Sequence, residues 1–280
     1  MEILFDKINE KDTVFEQEEY KQDSVVFHAI ESARFALGYY SIFSDHKDVI
    51  IMFSAKKGSK KVWIWTSSAV CDDTQKIINI CRFLNKQDIP KPEIYIKEEI
   101  SASMSDLYAV ASGELNYEIQ DEYSLRIFGL KDGSEATLQD GDKIVELDTF
   151  NEENRRLLTD FYRSLSDEFH WTHKFDRKLR EYFDLQHFAL INNGEIISNA
   201  AVGGATDRFL RIKSLATLED LRNRGFAFKV LQYTSAKILE SGKRPILYSH
   251  IGNKPAMALW SKAGYSPIGK LCLLKVGDKR

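Results

Sequence analysis

Cysteine is scarce in this chain of 280 residues: there are three, Cys71, Cys81 and Cys272. An odd and sparse set excludes a disulfide framework and points to a reducing, cytoplasmic setting. Cys71 and Cys81 also lack the paired C-x-x-C spacing of a zinc site and read as small buried hydrophobes. No run of about 18 or more apolar residues occurs, so no transmembrane helix is expected. The opening Met1-Glu2-Ile3-Leu4-Phe5-Asp6 holds acids and no sustained apolar core, unlike a signal peptide. A surplus of one charge is lacking too. The formal net charge is −3, which leaves no global field to draw nucleic acid or anionic lipid. No internal repeat is visible. What is present is ordinary for a globular protein, with 43% hydrophobic and 29% charged residues and length for one large domain or two small ones.

Residues 1–23 read as a short strand or arm and a polar segment, and residues 24–43 as a helix leading into a strand. Two β-rich runs, Val49–Phe53 and Val62–Thr66, flank Lys56-Lys57-Gly58-Ser59-Lys60-Lys61. Gly and Ser there predict a hairpin, and the lysines its solvated tip. Trp63 and Trp65 alternate on one side of the second run, as core or interface residues. Asp72-Asp73-Thr74 caps a helix, a strand follows at Glu93–Ile96, and Ser103–Ser112 reads as helix. Gly129, Gly133 and Gly141, among charged residues, mark a boundary region that holds a strand near Ser124–Phe128.

A new series begins at Lys143: a strand at Ile144–Leu147, a helix opened by Asn151 and a helix over Phe175–Phe183. Next come a hairpin turning on Asn192-Asn193-Gly194, a strand at Phe209–Thr217 and a helix to about Ser241. Pro245–Ser249 is a strand, Asn253-Lys254-Pro255 opens a helix that Gly264 ends, and a last strand runs to Val276. The expected fold is α/β with a mixed sheet. The expected division is an N-terminal α/β lobe over 1–123, a linker or crossover strand over 124–142 and a motif-bearing domain over 143–280.

That domain centres on Arg222-x-x-Gly225-x-Ala227, placed between a strand and a helix. A helix start has backbone N–H groups without intrahelical partners and a positive dipole end. Small residues there let an anionic group reach the backbone, a geometry that suits a pyrophosphate. His170 and His173 sit at the spacing of one helical turn, but no third metal ligand is suggested nearby, so no metal is expected.

A second motif follows in order: Asn253-x-x-Ala256-x-x-Leu259-Trp260, then Lys262-Ala263-Gly264-Tyr265. With both motifs, residues 143–276 resemble the GNAT superfamily of N-acetyltransferases. The hairpin and the Gly-Lys-Arg-Pro-Ile-Leu-Tyr strand look most like its glycine N-acyltransferase-like branch, in which a degenerate GNAT-like half precedes the motif-bearing half. The resemblance implies that acetyl-CoA is the co-substrate. The backbone of Leu215, Ala216 and Thr217 would pair with pantetheine. Arg222, Asn223, Arg224, Gly225, Phe226, Ala227 and Phe228 would wrap the pyrophosphate. Asn253 would contact the pantetheine arm, and Trp260 would line the slot.

The chemistry implied is attack of a neutral amine on a thioester, which needs removal of an ammonium proton, support of an oxyanion and protonation of a thiolate. The usual acid position holds Trp260, a poor acid, and the frequent base position holds Tyr248. Tyr248 and His250 are the candidate catalytic residues, with Tyr265 a third substitute; His250 has the best intrinsic pKa for a base. The function implied is N-acetyl transfer to a primary amine of a small molecule or amino acid. The alternative is an acyl-CoA-binding module with little or no catalysis. The expected partner is a small-molecule amine, not nucleic acid or membrane, and a homodimer is left open.

Overall fold

The computed structural model describes residues 5–24, 26–34, 40–54, 59–87, 89, 92–112, 117–119, 125–130 and 143–276. In chain order the elements are β1 (Asp6–Lys7), α1 (Glu18–Asp23), α2 (His28–Arg34), β2 (Tyr40–Ser44), β3 (Val49–Ser54), β4 (Lys61–Thr66), α3 (Thr74–Lys86), β5 (Glu93–Ile96), α4 (Glu98–Ser112), β6 (Tyr117–Ile119) and β7 (Leu125–Leu130). They continue with β8 (Ile144–Leu147), α5 (Glu152–Ser164), α6 (Phe175–Phe183), β9 (Gln186–Asn192), β10 (Glu195–Gly203), β11 (Phe209–Thr217), α7 (Phe226–Glu240), β12 (Arg244–His250), α8 (Lys254–Lys262) and β13 (Tyr265–Val276). The chain forms two compact units. One comprises Met1–Ile127, Ser249–Lys254 and Ile268–Arg280; the other comprises Phe128–Tyr248 and Pro255–Pro267.

In the first unit β1 to β4 pair antiparallel in sequence, and β4 pairs β5 in parallel. The C-terminal part of β13 adds antiparallel to β5, with Cys272 opposite Ile96, and also pairs β6. β3 reads Val-Ile-Ile-Met-Phe and is buried on both faces, as an unbroken apolar run in a central strand should be. Its predicted hairpin to β4 is present, with Met52 opposite Trp63; the tip residues 55–58 lie outside the described set. Trp65 is fully buried and donates to Asp23, while Trp63 stacks on Tyr95 at 4.2 Å. Ile77, Ile80, Cys81 and Leu84 of α3 pack on this sheet together with Ile100 and Met104 of α4. The polar opening segment holds more structure than its composition suggested: a 3-10 turn over Thr13–Glu16, capped by Asp12, precedes α1.

The second unit repeats that order of elements. The sequence β-α-α-β-β-β-α-β-α describes both β1 through α4 and β8 through α8. Pairing repeats too: β8, β9, β10 and β11 are antiparallel neighbours, and β11 pairs β12 in parallel. The turn between β9 and β10 places Asn193 at φ 49° and Gly194 at φ 81°. Two successive left-handed residues suit the twist of a tight hairpin, which is why Asn-Gly serves there. α5 and α6 cover one face of the sheet around Leu158, Phe161, Tyr162, Trp171 and Leu179. α7 and α8 cover the other around Val230, Leu231, Ile238 and Trp260. The mixed α/β class expected from the sequence is the class observed. His170 and His173 are not one turn of helix apart: they lie in the turn segment between α5 and α6, with His170 at φ 54°.

Candidate functional site

The site is set by a mismatch between neighbouring strands. Parallel pairing of β11 with β12 runs from Phe209↔Arg244 to Ile212↔Leu247. Beyond it β11 continues to Thr217 and β12 to His250. On its other side β11 stays paired with β10, up to Thr217↔Ser198. That ladder carries one residue too many: Val202 faces Ile212 and Ala201 faces Ser214, so Lys213 is bulged. A bulge bends its strand and increases the local twist. Pairing with β12 ends at the residue before it. Among the described residues, Leu215, Ala216 and Thr217 therefore have no ladder partner on the β12 side, and their strand edge is available to another extended chain.

Thr217 leads through a short 3-10 turn, Glu219–Leu221, to Arg222. Asn223 at φ 61° and Gly225 at φ 84° are both left-handed. Residues of that kind fold successive N–H groups into a concavity that binds anions. The first amide after the loop with a backbone acceptor is Lys229, bonded to the Gly225 carbonyl at 3.1 Å. Among the described residues nothing accepts from the N–H groups of Asn223 through Phe228. A Cβ built on Gly225 would meet nothing within 4 Å, so the glycine serves the backbone angle and leaves open space beside the helix start. Phe226 and Phe228 turn into the α7/α8 core and anchor the loop. Arg224 reaches the Asp220 carbonyl at 3.3 Å. Arg222 donates from Nε to the Thr217 carbonyl at 3.2 Å and pairs with Glu168 from the α5–α6 segment.

The matching helix start in the first unit is of opposite character. α3 begins after Asp72-Asp73, and the Asp73 carboxylate itself accepts from the Lys76 amide at 2.9 Å. Asp48 lies close by, paired with Lys76 and accepting from Ser67. Carboxylates already fill and charge that helix start, so an anion is repelled there.

The other residues singled out from the sequence fall in several places. Trp260 is 8% exposed within the α7/α8 core, and its buried Nε1 has no hydrogen-bond partner among the described residues. Tyr265 is not free to serve as an acid or base. It is 2% exposed, its hydroxyl lies 2.7 Å from Ser235 Oγ, and burial pushes its pKa up. Ser235 in turn donates to the Leu231 carbonyl, which leaves Tyr265 as donor in the pair. Tyr248 carries the Arg211 guanidinium 3.8 Å above its ring centroid. His250 is largely exposed, and partial desolvation of its ring, with Lys275 adding to it, holds its pKa below the usual value. His250 and Asn253 lie in the segment Ser249–Lys254, which groups with the first unit. No group of three His, Cys, Asp or Glu able to hold a metal occurs among the described residues.

Two features escaped sequence reasoning. One is a fully buried polar network. His187 Nε2 donates to the Tyr182 carbonyl at 2.8 Å, so Nδ1 accepts from Asn199 Nδ2 at 3.0 Å. Asn199 Nδ2 also reaches the Tyr162 hydroxyl at 2.9 Å. The other is a charged cluster beside the bulge, formed by Arg211, Lys213 and Glu181 with Tyr182. Its only trace in the sequence is Arg-x-Lys on a strand that leads into the motif. A groove of about 730 Å³ with Phe150 and Phe183 at its walls sits at the other end of this sheet, away from the loop.

A strand bulge at the end of parallel pairing, followed by an N–H-lined loop that opens a helix, occurs here within a duplicated β-α-α-β-β-β-α-β-α unit. Solved structures share the fold over nearly the whole chain. A tandem GNAT protein from the clavulanic acid biosynthesis pathway matches over 99% of both chains, with TM-score 0.60 and 10% identity. The chain has a tandem GNAT fold. A GCN5-related N-acetyltransferase from Sphaerobacter thermophilus matches at TM-score 0.64 and 11% identity, covering 97% of this chain and 94% of its own. A Drosophila protein matches at TM-score 0.65 and 10% identity over 99% of both chains. In sequence, the family model described as FR47-like protein matches residues 198–273, the stretch from β10 to β13. No curated protein matches the chain in sequence.

Proposed function

We propose that the protein is an N-acyltransferase that moves an acetyl group from acetyl-CoA to a primary amine of a small molecule or amino acid. The observation that carries this reading is the adjacency of the unpaired β11 edge, Leu215–Thr217, and the loop Arg222–Phe228, in which the amides from Asn223 onward have no acceptor among the described residues. A strand edge hydrogen-bonds an extended amide chain as another strand would. The helix start then meets a diphosphate with N–H groups and the positive end of the α7 dipole. Residues and group fit: the open space at Gly225 and the orphaned amides match the shape and charge of a pyrophosphate. Acetyl-CoA supplies a thioester carbonyl; a base takes one ammonium proton, the neutral amine forms the new C–N bond as the C–S bond breaks, and a second proton leaves the nitrogen to end on the thiolate.

His250 is the proposed base. Its depressed pKa keeps the ring neutral at neutral pH, the state able to take a proton. Tyr248, two residues earlier on the same face of β12, is held under Arg211 and is proposed to shape the acceptor side. Trp260 presents a buried N–H donor at the position where a phenol is usual in this family, and Asn253 would meet the pantetheine arm. The division into residues 1–123, a linker over 124–142 and a catalytic domain over 143–280 belongs to this reading, as does the glycine N-acyltransferase-like branch, which none of the matches supports. The alternative, a CoA-binding module with little catalysis, is favoured by the burial of Trp260 and of the Tyr265 hydroxyl, which leaves no phenol at the usual acid position.

Ala227→Glu tests the donor site. A carboxylate in the first turn of α7 suits the helix dipole, so the fold is retained, while it charges and fills the N–H concavity. We expect acetyl-CoA binding to be abolished in calorimetry with an unchanged melting profile. Undiminished affinity would sink the assignment. Release of free CoA thiol with an amine panel then separates the two readings: binding without transfer to any amine leaves the module.

A further inference from the structure

Three candidates stand outside the donor site: the ion pair of Arg222 with Glu168, the buried His187–Asn199–Tyr162 network, and the charged cluster at the bulge. The third reaches furthest because it meets the splayed strand on the face left open to an acceptor. Side chains alternate along β11, and Leu215 packs with α7 and α8 while Ala216 packs with α5 and α6. On β12, Leu247 packs with α7 and α8, so Tyr248 points to the α5/α6 face. Arg211, stacked on Tyr248, shares that face. Lys213 joins it because the bulge inserts it there; without the extra residue it could not share a face with both Arg211 and Ser214.

Space is reserved for it. A Cβ built on Gly203 of β10 would lie 3.5 Å from Lys213 Cε and 2.7 Å from Leu185 Cδ2, so the lysine stem runs over a bare backbone. Two cations thus flank the point where β11 and β12 part. Lys213 keeps an exposed surface, yet desolvation along its stem and the nearby Arg211 hold its ammonium below its ordinary pKa, against a pull from Glu181. Tyr182, at the end of α6, lies near Arg211, which opposes the rise that burial gives its pKa.

We propose that Arg211 and Lys213 form a carboxylate-binding subsite for the acyl acceptor, so that the substrate class is an amino acid or a similar amine bearing an acid group. This rests on the acyltransferase reading above. Arg211 contributes a planar fork of donors fixed by Tyr248, and Lys213 contributes a mobile point charge. Glu181, which pairs with Lys178 at 2.9 Å, is the acid near the two cations.

The test uses the full chain in three arms. First, acetyl-CoA binding is measured by calorimetry for the wild type and for K213Q, R211K and R211Q. Second, CoA release is followed with proteinogenic amino acids, the amines that lack their carboxylates, and aminoalkylphosphonates. Third, glycine, alanine and glutamate are titrated into the protein without cofactor. We expect amino acids to be preferred over their parent amines. K213Q and R211Q should lower that preference about tenfold or more through KM, as loss of a charged hydrogen-bond partner does, with acetyl-CoA affinity retained. R211K should recover part of the loss. Preference for phosphonates over carboxylates would replace the carboxylate with a phosphate-like group and overturn the substrate class. Equal use of amines and amino acids, or a preference unmoved in K213Q and R211Q, overturns the subsite while leaving the donor site intact. Absence of acetyl-CoA binding overturns the acyltransferase reading; amino-acid binding that K213Q abolishes would still support the subsite.

Discussion

His187 shows how a single residue ties packing to pH. It is fully buried and neutral, its Nε2 committed to the Tyr182 carbonyl, and burial holds its pKa below 6.5. The unfolded chain takes up the proton that the folded chain refuses. Stability is therefore complete above the ordinary histidine value and is lost as the pH falls below it. His46 pulls the other way, since Asp12 and Asp6 raise its pKa, so a difference between variants is needed. We expect melting temperature to fall from pH 7.5 to pH 5, and His187→Gln to lower stability at pH 7.5 yet flatten that slope. An equally steep slope in the variant would show that other groups carry it. At this scale the sequence named chemistry better than location. Trp260 is identifiable as a poor acid from its indole alone, whereas its burial, and that of Tyr265 against Ser235, depends on how α7 and α8 pack.

At the scale of elements, the motif loop and the hairpin were legible because each is written in backbone chemistry. Asn193-Gly194 and Gly225 occupy left-handed angles that few other residues adopt cheaply. The bulge was not legible. Nothing in Phe209–Thr217 marks Lys213 as the extra residue; the register between β10 and β11 decides it. Deleting Lys213 restores a regular ladder and removes the bend that parts β11 from β12. We expect a folded protein, because the ladder on the β10 side is retained, with acetyl-CoA affinity reduced at least about tenfold, as loss of several backbone hydrogen bonds would do. Calorimetry together with circular-dichroism melting checks it. Full affinity in the deletion variant would mean that the bulge does not create the donor slot.

At the scale of the whole molecule, two units share one order of elements while differing at the corresponding helix starts. α7 opens on Arg222-Asn223-Arg224-Gly225; α3 opens on Asp72-Asp73, with Asp73 capping Lys76. A capped, negatively charged helix start cannot also take a diphosphate. The expected stoichiometry in calorimetry is thus about one acetyl-CoA per chain, with the single site lost in Ala227→Glu. Two sites of similar affinity would show that the first unit binds as well. No helix among the described residues is long and apolar enough to cross a membrane.

The sequence by itself determined which helix start carries glycine and basic residues and which carries acids, where strands and helices alternate, and that Trp260 and Tyr248 stand where the resemblance expects a phenol and a carboxylate. These are local properties, carried by glycine, by charge next to a helix terminus and by apolar period. No residue pattern repeats between the halves, because the same backbone path is satisfied by many apolar sets once burial and period agree; the duplication was expected only through the family resemblance. The splay of β11 from β12, the gathering of Arg211, Lys213 and Tyr248 on one face, and the removal of Tyr265 into the core were decided only by the tertiary structure. Each depends on the register between strands distant in the chain, where a shift of one residue moves a side chain to the opposite face.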